Sequence, residues 1–267
     1  MPARALPRVR LAGILPIALI ALIGLGVTGI GVTAPAGAAA FVDGDLYLLS
    51  RALPAINDGI LRIDPATGGT SVLVDVSDAA PLLPTFSYDA YRDRLLFVQT
   101  GTTIELRAVD ASGAVSTLPL AGALPSLVAA RGDGIVYLWF GGSSVMRYLD
   151  ASDVVHDLLD AGGSTAFTFP GGTQIQEMIY DPGTNSLVCL SGTPFAPCAS
   201  AGQTCAVRVP LTAGGTQVAG ALASAQVEVA TSENVDGASL VPGGQILVIV
   251  DTNDNGQAPR MQLLDPA

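Results

Sequence analysis

The chain has 267 residues and a formal net charge of −11 at pH 7, and every one of its 12 basic residues is arginine. An acidic surface of this kind repels phosphate backbones, which excludes nucleic acid as a partner class. Charged residues make up only 13% of the chain, glycine is abundant at 31 residues, and beyond the N-terminus no segment has an apolar period near 3.6, which excludes a helical domain and implies a turn-rich β protein.

Arg4, Arg8 and Arg10 precede an uncharged stretch from Leu11 to Val42 that exits through Ala36-Gly37-Ala38-Ala39-Ala40. A basic start, an apolar middle and a small-residue exit are the parts of a secretory signal, so residues 1–40 read as a signal peptide and 41–267 as one domain. The alternative is a retained anchor, because Leu11 to Ile30 is about 20 residues and long enough to span a bilayer. The expected location is secreted, periplasmic or extracellular, with membrane association only if the segment is uncleaved.

Short apolar strands then recur. Leu46-Tyr47-Leu48-Leu49 returns as Leu95 to Val98, Ile135 to Leu138, Leu187 to Leu190 and Ile246 to Ile249, and a spacing near 50 residues is that of propeller blades. A second strand follows each, marked by Arg62, Arg107, Arg147 and Arg208, with Gln262 in the last copy; aspartates follow as Asp64, Asp110, Asp150 and Asp265. The first copy closes in Asp64-Pro65-Ala66-Thr67-Gly68-Gly69, where proline presets φ and glycine accepts positive φ, so the chain must reverse. A small-residue strand precedes copies two to five (Phe86 to Asp89, Leu127 to Ala130, Glu177 to Asp181, Gly237 to Leu240), and an outer strand follows at Thr70 to Val74, Ala114 to Leu118, Val154 to Leu159 and Gln217 to Leu222. The expected fold is all-β: a β-propeller of five blades of four antiparallel strands, A to D outward, with the first and last blades incomplete. How such a ring closes is left open.

Carried by Gly59 to Gly69 and its copies, the mature chain resembles the bacterial secreted β-propeller repeats of the NHL, YVTN and gluconolactonase-like group. Members of that group include lactonases, lyases and pure binding modules, so the resemblance implies a fold more than an activity. The gluconolactonase-like members hold a divalent metal in the channel with a glutamate, asparagines and an aspartate. The candidates here near the inner strands are Glu177, Glu233, Asn234 and Asp236, with Asp89 and Asp181 as further carboxylates, whereas the first copy has no equivalent glutamate and Leu127 to Ala130 offers no ligand.

Three connections between strands B and C read as long, Arg51 to Asp58, Ser191 to Thr204 and Asp251 to Ala258, and would cluster on one arc of one face; long loops on a rigid scaffold carry binding function. Within them Asp251, Asn253 and Asn255 followed by Gly256 match the first half of an oxygen-rich calcium loop, although Gln262 stands where the closing glutamate belongs. Calcium is the one cofactor this loop suggests, with a plain Asn/Gly turn the preferred reading of it. Cys198 and Cys205 bracket a small loop and pair as a disulfide in an exported chain, leaving Cys189 as a buried strand residue. His156, the only histidine, falls on an outer strand, which disfavours a histidine base. The repeated arginines are expected to pair with aspartates across blade boundaries.

The expected function is an exported, non-enzymatic binding or scaffold propeller whose long loops of blades four, five and one take an unidentified protein, glycan or small molecule. The alternative is a divalent-metal-dependent, lactonase-like hydrolase at the central channel.

Overall fold

The computed structural model describes residues 41, 46–53, 56–76, 82–100, 103–120, 125–140, 144–169, 175–191, 205–226, 234–240, 245–251 and 260–264. The described residues form five antiparallel sheets and no helix. The first holds β1 (Leu46–Leu53), β2 (Ile56–Ile63) and β3 (Thr70–Val76). The second holds β4 (Leu82–Asp89), β5 (Arg94–Thr100), β6 (Ile104–Asp110) and β7 (Val115–Thr117). In the third are β8 (Pro125–Ala130), β9 (Val136–Phe140), β10 (Met146–Leu149) and β11 (Val155–Asp157). The fourth is β12 (Ile175–Asp181), β13 (Ser186–Ser191), β14 (Cys205–Pro210) and β15 (Ala223–Gln226), and the fifth β16 (Asn234–Leu240), β17 (Ile246–Asp251) and β18 (Arg260–Leu264). Each sheet is a simple meander.

The sheets stack face to face, and this explains why the B strands are apolar at consecutive positions. In β5, Leu95 and Phe97 pack on Ile60 and Val74 of the first sheet, while Leu96 and Val98 pack on Val128, Val136 and Leu138 of the third. The alternation continues. Tyr137 and Trp139 of β9 turn to Leu187 and Cys189 of β13, whereas Val188 and Leu190 turn to Ile246 and Val248 of β17. A strand covered on both faces has no solvent side to keep polar, so the period-two pattern disappears. The innermost strands adjoin in order, β4 on β8, β8 on β12 and β12 on β16; Val128 and Ala130 on β8 donate their amides to the hydroxyls of Thr85 and Ser87 on β4. Radially stacked meanders with adjacent inner strands are the β-propeller architecture.

Turn chemistry agrees with the sequence at the C–D connections. Asp64 Oδ1 accepts the amides of Ala66 and Thr67, and Gly68 has φ of 69°. Asp110 and Asp150 repeat the device on Ser112 and Ala114, and on Ser152 and Val154. Among the described residues these aspartate carboxylates cap their own turns or, for Asp150, also reach His156 of the same sheet, and none bonds to an arginine of a neighbouring blade.

Three of the strand-C arginines differ from expectation accordingly, reaching a carboxylate in their own sheet. Arg107 pairs with Glu105, Arg147 with Asp157, and Arg208 with Asp181. Cross-blade contacts come instead from arginines at the A–B turns. Arg94 grips Asp153 of the third sheet through both terminal nitrogens, and Arg92 donates to the carbonyls of Gly134 and Asp150. Arg131 likewise donates to the Ala213 carbonyl, and Tyr137 to that of Gly215. Gly215 has φ of 72°, and a Cβ there would lie 1.6 Å from an Arg131 guanidinium nitrogen, so the guanidinium can lie over the turn only because the residue is glycine.

Two further expectations are corrected. Residues Arg51 to Asp58 are not a long loop: β1 and β2 stay paired to Leu53 and Ile56, with Arg51 opposite Asp58. The ladder leaves only two residues to connect the strands, so the hairpin simply extends. The outer strand of the fourth sheet is Ala223–Gln226 instead of Gln217 to Leu222. Gln217 and Val218 form isolated bridges to Leu159 and Leu211, filling the gap between the third and fourth sheets.

Candidate functional site

Each inner strand from β4 to β16 carries an irregularity close to its first residue. Pairing jumps from Leu82 to Phe86 in β4, from Pro125 to Leu127 in β8, from Ile175 to Glu177 in β12 and from Val235 to Gly237 in β16. In the last three the extra residue is Ser126, Gln176 and Asp236. A bulge leaves its extra residue outside the ladder and re-aims its side chain, and such bulges favour barrel rims and binding sites. Gln176 is exposed; Ser126 is half-buried and donates to the Trp139 carbonyl at 3.2 Å.

All four irregularities lie at the end of the sheets where strand B runs into strand C. Pro125 pairs with Phe140, Ile175 with Ser191 and Asn234 with Asp251, the last residues of β9, β13 and β17. One rim therefore collects the Ser126, Gln176 and Asp236 positions from successive inner strands, at the end where β13 finishes at Ser191 and β17 at Asp251. Sequence reasoning missed Ser126 and Gln176. Their only signal was a polar residue near the start of an otherwise apolar inner strand.

Glu177 follows Gln176 directly. It lies opposite Leu190, whose side chain packs toward the fifth sheet, and Oε1 accepts the Met178 amide at 3.1 Å. Burial pushes its carboxyl up to about 7, with the Met178 amide acting in the opposite direction. Behind it Cys189 is a buried free thiol, as the sequence predicts, pushed up by burial and then by the Glu177 charge. The folded Glu177 holds its proton to about 7, whereas an unfolded glutamate releases it near ~4.3. The native state binds more protons between those values, so stability falls as pH rises through that window. Glu177→Gln is expected to flatten this decline in urea denaturation at pH 5 and pH 8; an unchanged difference between the two would reject it.

The remaining expected ligands divide. Asn234 and Asp236 lie on β16, the inner strand next to β12, so the fold brings their backbone positions near Glu177. Glu233, Asn253, Asn255 and Cys198 lie outside the described residues, and of Asp251 only its place at the end of β17 is described. Asp89 and Asp181 sit at the opposite end of their strands, which strands of seven or eight residues place about 20 Å away. Both carboxylates are engaged there, Asp89 by Arg92 and Arg94, and Asp181 by Thr184 and Arg208. Neither is a channel-rim ligand.

Among the described residues no three His, Cys, Asp or Glu side chains converge as a metal site. The described residues do not, by themselves, make up the ligand set that the resemblance implies. His156 Nε2 hydrogen-bonds to the Asp150 carboxylate, which accepts at 2.9 Å, and the ring stacks on Tyr148 at the surface of the third sheet. Trp139 is core, packed edge-on against Phe169.

No protein-family model matches the chain, and no curated protein matches it in sequence. Among solved structures, a streptogramin B lyase is similar at 12% identity and a TM-score of 0.48, over 80% of this chain and 61% of that one. A calcium-binding protein, regucalcin, from Agrobacterium tumefaciens gives 14% and 0.47 over 77% of this chain and 67% of its own. An oligogalacturonate lyase in complex with manganese gives 13% and 0.43 over 76% and 58%. The chain spans about three-fifths of the length of the two lyases. At such low likeness the architecture rests on the sheets and seams of this chain.

Proposed function

We propose that the chain is an exported, non-enzymatic binding or scaffold propeller of five blades, with its ligand face at the rim where the inner-strand bulges meet the B–C connections of the fourth and fifth sheets. The observation that carries this is the recurrence of a bulge at the same level of successive inner strands, with Ser126, Gln176 and Asp236 as the extra residues. The exposed Gln176 amide, on a strand next to the one that carries Ser126, can hydrogen-bond a polar ligand such as a glycan or a peptide without covalent chemistry. The first blade takes no part through a long loop, since its B–C connection is a hairpin tip.

Export is part of this proposal and is supported by residues 1–40. So is a Cys198–Cys205 bridge, supported by the short loop between the two cysteines and by the third, Cys189, being free and buried. The second reading, a divalent-metal-dependent lactonase-like hydrolase, is favoured by one observation, the packed Glu177 carboxyl beside the rim.

Screening the purified protein on arrays of glycans and peptides tests the location. Binders are expected to lose affinity for the double variant Gln176→Ala, Glu177→Gln while its melting temperature holds, and retention of affinity would move the site elsewhere. Turnover of a lactone, with one divalent ion retained per chain, would put the hydrolase first.

A further inference from the structure

Among the described residues four seams join the five sheets, and each mates the forward face of one sheet with the backward face of the next. On the forward faces, the strand-C residues Leu106, Ala108, Met146 and Ala206 are 0 to 3% exposed. The fifth sheet has a forward face of the same kind. Ile246, Val248 and Leu264 pack backward on the fourth sheet, and alternation along the strands turns Leu247, Met261 and Leu263 the other way. Leu247 pairs across the ladder with Leu263. Yet Met261 and Leu263 are 67% and 54% exposed.

The first sheet has the complementary half. Ile60 and Val74 pack forward on the second sheet, so Leu46, Leu61, Ile63 and Val72, joined through the pairs Leu46–Ile63 and Leu61–Val72, form its backward face. These four side chains are half-buried. Both outward faces are aliphatic at these positions, of the kind the other seams bury, with the exposed Asp75, opposite Gly59, farther along the backward face.

We propose that the forward face of the fifth sheet docks the backward face of the first sheet of a second copy, forming a fifth seam of the type that already joins neighbouring sheets. The two faces belong to different sheets, so the contact is heterologous: copies add head to tail, and an unclosed chain of them grows.

Sedimentation velocity of the purified protein over a concentration series tests this. The wild type is expected to form dimers and longer species as concentration rises. Leu263→Glu and Met261→Glu, both at exposed positions, are each expected to weaken association roughly tenfold or more without changing the melting temperature, because a carboxylate would be desolvated in the seam. Ile63→Glu, or Leu46→Glu if the first fails to fold, does the same from the other face. Mixing Leu263→Glu with Ile63→Glu restores one intact seam and yields dimers that grow no further.

A wild type that is monomeric at every concentration overturns the proposal. So does a mixture that forms no dimer, or association that survives Leu263→Glu. A monomer whose melting temperature falls with Leu263→Glu shows that its own chain covers the face, and association lost only when residues 1–40 are removed assigns the face to that segment; either result overturns docking of a second copy.

Discussion

Trp139→Ala is expected to lower stability by about 3–5 kcal/mol, the range for deleting a fully buried tryptophan. The side chain is 1% exposed and lies in the largest of the apolar clusters, between the third and fourth sheets. Its neighbours are Phe169, 6.1 Å away edge to face, and strand residues whose backbones are locked in ladders on both sides. Collapse into the space left is therefore limited, which puts the cost toward the upper end. Urea denaturation would measure it, and a loss under about 1.5 kcal/mol would mean that the seam repacks more freely than its ladders imply.

Arg208→Ala is expected to cost about 3 kcal/mol, because breaking one half of a buried pair strands the other. Arg208 and Asp181 are 11% and 5% exposed, and the guanidinium also donates to Thr184 and Ser186. By contrast Arg107→Ala, at the same repeat position, should cost less than about 1 kcal/mol, as for exposed ion pairs generally. Its partner Glu105 and Arg107 itself are each about one-third exposed. Equal losses from the two variants would refute this ranking.

The pH dependence has a definite sign. Burial raises the Asp181 carboxyl, but its hydrogen bonds to Thr184 and Arg208 outweigh that and hold it below the usual range. A depressed carboxylate contributes stability above its unfolded pKa of ~3.9 and loses it as pH falls through the folded value. The Arg208→Ala deficit should accordingly shrink when stability is measured below about pH 3 instead of at neutrality.

The site was less legible than the scaffold. Glu177 and Asp236 were visible as acids near inner strands, but carboxylates such as Asp89 and Asp181 looked equivalent to them. Only the ladder shows that one pair sits at the rim and the other at the far end under arginines. The A–B turn was also written in the chain as Tyr88-Asp89 with Asp93, and Tyr180-Asp181 with Asn185. Tyr88 bonds Asp93 and Tyr180 bonds Asn185, and both turn residues have φ of 48°. That spacing could have been read, since Asp and Asn tolerate positive φ.

Sequence alone determined most of the strands, their order and the Asp-capped C–D turns, but not the outer strand of the fourth sheet, because apolar runs, Asp-capped turns and proline or glycine positions act within a few residues of themselves. Only the tertiary structure decided which arginine meets which carboxylate, where the bulges fall and which apolar faces stay uncovered. Those depend on register and on the seam between one sheet and the next, and a one-residue change in register turns a side chain to the opposite face. Arg107 and Arg208 show the consequence: the same residue at the same repeat position lies on a half-exposed strand in one sheet and over a buried aspartate in another.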